Sequence, residues 1–314
     1  MKTKNNFIVV GDIILDRFIY GDAVRISPEA PALVLDVKEE IHSVGGAFNS
    51  FSHLSSLGGK VKLITVTGGD ISKHKDDFTE FEAYKDDLVL LKDPSRITSI
   101  KTRLVAYYKL SYLSRFDKEM TNAISDEFAD RILASVAEHL NKYSSLLIID
   151  YKKGVITPRL AQELIKICRQ RQVKVYVDTK KDNIEDFAGA YLIKPNKIEF
   201  REIKLRYQLS EYDDMEACKI LLERFDLSNI VLTLGPKGML AITREGHVIS
   251  VPGHDVTIKE LSGAGDSVLS VLATLISDQY PLDEALKAAN NVAARFISSG
   301  VSYRAKREDL FNND

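Results

Sequence analysis

The sequence predicts a doubly wound α/β protein: a mostly parallel sheet with helices on both faces, and a small β-sheet lid. Three observations carry this expectation. Short β-branched apolar runs alternate with helical patterns through the 314 residues. Two extended regions interrupt the alternation, and a glycine turn late in the chain, Ser262-Gly263-Ala264-Gly265-Asp266-Ser267, opens an apolar helix.

The first run, Phe7 to Val10, stops at Gly11-Asp12, and similar runs follow at Val61 to Val66, Leu146 to Ile149, Val173 to Val177, Tyr191 to Ile193 and Ile230 to Leu234. Their unbroken apolar character fits parallel strands covered on both faces. Helices are expected at about 47–57, closed by Gly58, and over 158–171, 212–225 and 282–299, the last closed by Gly300. Val268, Val271, Leu272, Leu275 and Ile276 recur at i, i+3, i+4, i+7 and i+8, which places the glycine turn at the start of an amphipathic helix. Arg17 to Tyr20, Leu33 to Ile41, Ile97 to Ala106 and Leu110 to Phe116 read as extended, the last two joined near Tyr107-Tyr108-Lys109. These insertions, about 17–42 and 97–117, would form a lid over a cleft. One domain is expected over 1–314, and the charged piece from Lys73 to Asp87 reads as a solvated helix and loop.

Composition narrows the function. Lys and Arg total 43 against 45 Asp and Glu, so no basic field points to nucleic acid or to an acidic membrane. Cys168 and Cys218 are the two cysteines, without CxxC spacing, and the six histidines form no HxxxH or HxH pair. Phe7 to Val10 is too short for a signal peptide, and no stretch nears the roughly 18 apolar residues of a membrane span. A cytoplasmic protein with a small-molecule partner is expected.

The glycine turn carries the chemistry. Helix-start N–H groups lack intrahelical partners, the dipole is positive there, and Gly263 and Gly265 have no Cβ to hold an anion away. Asp266 would repel a phosphate unless it has another task, such as accepting a proton from an attacking hydroxyl. A plain helix cap by Asp266 and Ser267 fits the hexapeptide equally. Asp12 follows the first strand, where ligands of open sheets gather, and a carboxylate there can grip hydroxyls. Gly45-Gly46-Ala47-Phe48-Asn49 enters a helix with an amide that both donates and accepts; a bare turn is the alternative. Asn196 and Glu199 offer oxygens suited to magnesium and its water, or a capping box. Thr233-Leu234-Gly235-Pro236-Lys237-Gly238 could approach nucleotide phosphate or form a hairpin turn. No GxxxxGK[ST] or GxGxxG stretch occurs.

Taken in order, Gly11-Asp12, Gly45-Gly46-Ala47-Phe48-Asn49, Asn196-x-x-Glu199, Thr233-x-Gly235-x-x-Gly238 and Gly263-Ala264-Gly265-Asp266 resemble the ribokinase and phosphofructokinase-B family of sugar kinases. The likeness spans about residues 7–310. Within the family, Leu15-Asp16-Arg17, Arg25-Ile26-Ser27-Pro28-Glu29-Ala30-Pro31, Asp150-Tyr151-Lys152-Lys153-Gly154 and Asp178-Thr179-Lys180 resemble the heptose 7-phosphate kinase part of ADP-heptose synthase.

That resemblance implies a ribokinase-like fold and an ATP-dependent kinase acting on the anomeric hydroxyl of a heptose 7-phosphate. A kinase for another sugar, or a catalytically silent binding protein, are the alternatives. It implies Asp266 as base and Gly263, Ala264 and Gly265 as the anion hole. Asp12, Asp16, Gly45, Gly46 and Asn49 would hold the sugar, with Lys101, Arg103 and Lys180 at its far phosphate. Asn196 and Glu199 would organise Mg2+ and triphosphate, Thr233, Gly235 and Gly238 would approach ATP, and Asn290 would lie near adenine. A monovalent cation and a homodimer through the lid are further implications. Departures from the family pattern are Glu260-Leu261-Ser262 before the glycine turn, a bulky Phe48, and Gly300-Val301-Ser302-Tyr303-Arg304 near the end. No His-x-Gly-His nucleotidyltransferase motif occurs, so kinase activity alone is expected of this chain.

Overall fold

Parallel pairing of strands Asn6–Gly11 and Ser145–Asp150 places their ends side by side, and the rest of the architecture follows from that junction. The computed structural model describes residues 5–74, 78–108, 111–259, 261–300 and 303–311. Lys109, Leu110, Glu260, Val301 and Ser302, which figure in the expectations above, lie outside those residues.

In chain order the elements are β1 (Asn6–Gly11), β2 (Ile13–Ile26), β3 (Leu33–Gly46), α1 (Ala47–Ser56), β4 (Lys60–Gly68), α2 (Glu80–Ala83), β5 (Leu88–Asp93), β6 (Ile100–Ala106) and β7 (Ser111–Lys118). Then follow α3 (Asp126–His139), β8 (Ser145–Asp150), α4 (Pro158–Gln170), β9 (Lys174–Thr179), β10 (Leu192–Ile193), α5 (Lys197–Arg206), α6 (Asp214–Arg224), β11 (Asn229–Thr233), β12 (Met239–Thr243), β13 (Val248–Val251), α7 (Ala264–Ser277) and α8 (Leu282–Ser299). Nine strands form one sheet in the order β13-β12-β11-β10-β9-β8-β1-β4-β5. β5, β4, β1, β8, β9, β10 and β11 run parallel, whereas β12 pairs antiparallel with both β11 and β13.

The alternation within β1 shows why both faces are covered. Ile8 and Val10 join a core layer with Ile132 and Val136 of α3 and Leu160 and Leu164 of α4. Phe7 and Val9 join the opposite layer with Phe51 of α1, Leu272 of α7 and Val292 of α8. The strand order reverses between β1 and β8, the switch point at which open α/β sheets bind ligands beyond their strand ends. Gly11 pairs with Ile149 there, and a Cβ at Gly11 would lie 2.0 Å from the Ile149 carbonyl oxygen. Only glycine lets these two strands meet at that spacing.

The lid is the four-stranded sheet β3-β2-β6-β7. Its strands begin at Ile13, four residues before the expected insertion, because β2 pairs with β3 from Ile13↔Gly46 onward. Phe48 does not face the cleft: it is 1% exposed and packs with Phe51, Phe81 and Tyr84, so its bulk fills the core. The charged piece after Lys73 is anchored by buried Phe78 and Phe81 rather than wholly solvated. Among the described residues no helix is long and apolar enough to cross a membrane.

Candidate active site

Asp266 occupies the third position of α7, whose N-cap is Gly263 in the left-handed conformation (φ 98°). Gly263 provides no side-chain cap, and Ala264 N donates to Leu261 O at 3.4 Å across the turn. A Cβ at Gly263 would stand 3.0 Å from the Phe296 ring and 3.2 Å from the Asn49 amide nitrogen, so conformation and space both require glycine. The Asp266 carboxylate is 1% exposed. It accepts hydrogen bonds from the Tyr151 hydroxyl at 3.0 and 2.9 Å and from Asn49 Nδ2 at 3.2 Å. Burial, and then the nearby Asp178 carboxylate, push its pKa up to about 7, against the pull of Lys180, Tyr151 and Lys194. A carboxylate so tuned can accept a proton near neutral pH.

Cations converge behind the glycine turn. Lys194, 1% exposed, stands 2.9 Å from Asp178 in an ion pair that lies outside aligned hydrogen-bond geometry. A Cβ at Gly265 would be 3.0 Å from the Lys194 ammonium, so this charge lies against the turn backbone. Lys180 reaches Glu199 Oε1 at 2.6 Å and Asp178 at 3.8 Å, and its ammonium sits 5.4 Å from the centre of the Tyr151 ring. Its pKa is raised by Asp178, Glu199 and Asp266, which outweigh burial. Lys180, expected with Lys101 and Arg103 at a distant phosphate, here stands beside Glu199 and Asp178.

Asp12, expected to grip sugar hydroxyls, accepts from the backbone N–H groups of Tyr151 at 2.7 Å, Lys153 at 3.0 Å and Val155 at 3.0 Å. It is 1% exposed, and burial with the Asp150 charge raises its pKa to about 6 despite those donors. Asp12 thus fixes the loop that carries Tyr151, while its own carbonyl accepts from Ala47 N and secures α1. Gly45 and Gly46 make room for neighbouring protein groups. A Cβ at Gly45 would meet Asp16 Oδ2 at 2.3 Å, and one at Gly46 (φ 63°) would meet the Asp12 carbonyl oxygen at 2.3 Å.

Asp16 and Arg103, expected to serve sugar and phosphate separately, form an ion pair, and the guanidinium also lies 4.9 Å over the Phe18 ring. Lys101 pairs in register with Asp16 and so lies on the same lid face. Burial and the charges of Lys153 and Arg115 lower its pKa, although Asp117 stands 3.9 Å away.

Asn196 and Glu199 form the full capping box of α5. Asn196 Oδ1 accepts from Ile198 N and Glu199 N, and Glu199 Oε2 accepts from Asn196 N at 2.8 Å. Thr233 bridges to Asn196, placing both at the same sheet edge. The turn after Thr233 joins β11 to antiparallel β12, as its hairpin reading anticipates, and Gly238 (φ 87°) packs against the Val251 carbonyl. Asn290 is 5% exposed and donates to Pro252 O at 2.8 Å. The residues missed by the sequence reading as direct partners of the site are Tyr151, Lys153 and Lys194. Tyr151 and Lys153 fall in the Asp150–Gly154 stretch that the family likeness singles out, whereas the apolar context of Lys194 gave no local signal.

A glycine-led helix start, a buried carboxylate within its first turn and a small second sheet beside a mostly parallel one point to a class: a sugar kinase of ribokinase-like fold. Comparison with known proteins agrees. The chain belongs to the pfkB family of carbohydrate kinases, whose profile matches residues 4–305, and it is accordingly an ATP-dependent sugar kinase. It is 31% identical to "Bifunctional protein HldE" of Bradyrhizobium sp. (strain ORS 278) over 99% of this chain and 67% of that protein. It is 35% identical to the protein of the same name from Rhodopseudomonas palustris (strain BisA53), over 93% of this chain and 59% of that one. The chain thus spans about three fifths to two thirds of the length of these relatives. In structure it resembles Escherichia coli phosphofructokinase-2 crystallised with potassium (TM-score 0.78, 18% identity, 97% and 96% of the two chains). Ribokinase of Thermotoga maritima is similar too (TM-score 0.75, 18% identity, 97% of each chain).

Proposed function

We propose that the acceptor is a sugar carrying its own phosphate, in particular the anomeric hydroxyl of a heptose 7-phosphate. The observation that carries this reading is the crowding of Lys101, Lys153 and Arg115 beside the lid face that bears Asp16. Asp117 and Glu119 balance part of that charge, at 2.9 Å from Arg115 and 2.6 Å from Lys153. Three cations gathered beside one sheet face offer charge-assisted hydrogen bonds to an anion. The relatives' shared name, bifunctional protein HldE, supports the same substrate.

The acceptor O–H would lie between Asp266 and the first turn of α7. As its oxygen bonds to the γ-phosphorus and the bridging P–O bond of ATP breaks, its proton passes to Asp266 and ADP leaves. The helix-start amides and Lys180 would take the charge on the transferring oxygens. Among the described residues no group of three or more His, Cys, Asp or Glu is placed to hold a metal. The donor set instead fits magnesium that arrives on the triphosphate: Glu199 keeps lone pairs beyond its two hydrogen bonds and would reach the ion's water shell. When bound, magnesium supplies charge neutralisation at the phosphate oxygens.

ADP release measured over a substrate panel tests the reading. Heptose 7-phosphate should exceed unphosphorylated heptose and hexoses by about 100-fold or more in kcat/KM, the scale of a charge-assisted phosphate contact. Equal use of phosphorylated and plain sugars would overturn it.

The lid also supports a homodimer. Val24, Ile26, Leu33, Tyr108, Tyr112 and Phe116 are each more than half exposed, an apolar load unusual for a solvated sheet. Sedimentation should give a dimer that Tyr112→Glu with Phe116→Glu converts to monomer; a wild-type monomer at micromolar concentration excludes it.

A further inference from the structure

We propose that Tyr151 is the positioning residue of the base: its hydroxyl holds the Asp266 carboxylate aimed at the place the acceptor alcohol takes. This rests on the sugar-kinase reading and adds a group that neither local sequence pattern nor glycine-turn geometry supplies.

Two separate anchors make the assignment. The backbone at residue 151 is fixed by Asp12, through the N–H groups of Tyr151, Lys153 and Val155. The side chain is free of that duty, and its hydroxyl goes to Asp266, 3.0 Å from one oxygen and 2.9 Å from the other. A phenol donating to both oxygens orients the carboxylate plane, and it stands as a protein O–H where a substrate O–H must arrive. Asn49 Nδ2 secures Oδ2 from the other side at 3.2 Å.

Donation to the charged form favours that form. The charged groups that face Asp266 are Asp178 and Lys180 from the end of β9, Lys194 after β10, and Arg304 from the segment after α8. Asp178 raises its proton affinity, while the lysines oppose this. Tyr151 is an uncharged proton donor that lowers it, and it reaches both carboxylate oxygens where Asn49 reaches one. The Tyr151 hydroxyl itself stays protonated, because burial and then the Asp266 and Asp178 charges lift its pKa well above the ordinary value. It therefore gives no proton to the reaction. When the acceptor O–H enters, one carboxylate oxygen turns to it and receives its proton, while the other keeps the phenol.

The test is the pH profile of kcat/KM for the best sugar of the panel, in wild type, Tyr151→Phe and protein carrying 3-fluorotyrosine at position 151. Tyr151→Phe should move the acid limb up by roughly one pH unit and lower kcat about tenfold at pH 6.5, with KM for ATP unchanged. The more acidic fluorophenol, a stronger donor, should move the limb down. Thermal unfolding and ATP-analogue titration establish that each protein is folded. Folded variants whose acid limbs coincide with that of the wild type would overturn the proposal while leaving the kinase reading intact. Absence of sugar-dependent ADP formation in the wild type would instead overturn the reading beneath it.

Discussion

Asp266→Asn should lower kcat roughly a thousandfold while leaving ATP-analogue binding within a few fold, because the amide keeps the shape of the carboxyl but cannot take the acceptor proton. The same change should make the protein more stable in mild alkali. Asp266 has its pKa raised from 3.8 to about 7 by burial and by Asp178. Its folded state therefore prefers the neutral carboxyl, an advantage fully present below pH 4 and lost progressively as pH rises through 7. At pH 8 the buried charge costs on the order of 4 kcal/mol, which asparagine removes. Thermal melts at pH 8 and at pH 4.5 check the sign: the variant's gain should be large at pH 8 and shrink on acidification. Near-normal turnover would remove Asp266 from the base role, and equal melting at pH 8 would show the carboxylate to be solvated.

Lys180→Met should carry the second large effect, a fall of about a hundredfold in kcat with a raised KM for ATP and little change in KM for the sugar. The reason is placement. The ammonium stands between Glu199, Asp178 and the ring of Tyr151, at the mouth of α7, where charge on a transferring phosphoryl group must be met. Removing it also leaves Asp178 and Glu199 short of a counter-charge, so some loss of stability is expected. Lys180→Arg should restore part of the activity. Steady-state kinetics in both substrates decides the matter, since a rise confined to KM for the sugar would return Lys180 to the distant phosphate.

Much of the architecture was legible in the chain because parallel strands buried on both faces leave unbroken apolar runs. Val61 to Val66 and Leu146 to Ile149 lie within β4 and β8. Helix α3 was not read out, although Phe128, Ile132 and Val136 recur at helical spacing after Ser125. Strand β12 and the edge strand β13 follow the turn at Gly235 and Gly238, whose hairpin and phosphate readings are indistinguishable until the partner strand is seen. Glu199 and Asn196 show the same ambiguity in milder form, since a capping box and a ligand set use the same two oxygens.

The sequence by itself determined the strand and helix alternation, the glycine turn at the head of α7 and the acid within it, because each depends on residues near one another in the chain. Tertiary structure alone decided the partners. Tyr151 meets Asp266 across 115 positions, Asp12 is absorbed by a loop about 140 residues away, and Lys180 turns to Glu199 instead of the lid. Charges and hydrogen bonds act through space over a few ångströms, so the same carboxylate grips a ligand, holds a loop or accepts a proton according to what the fold sets beside it.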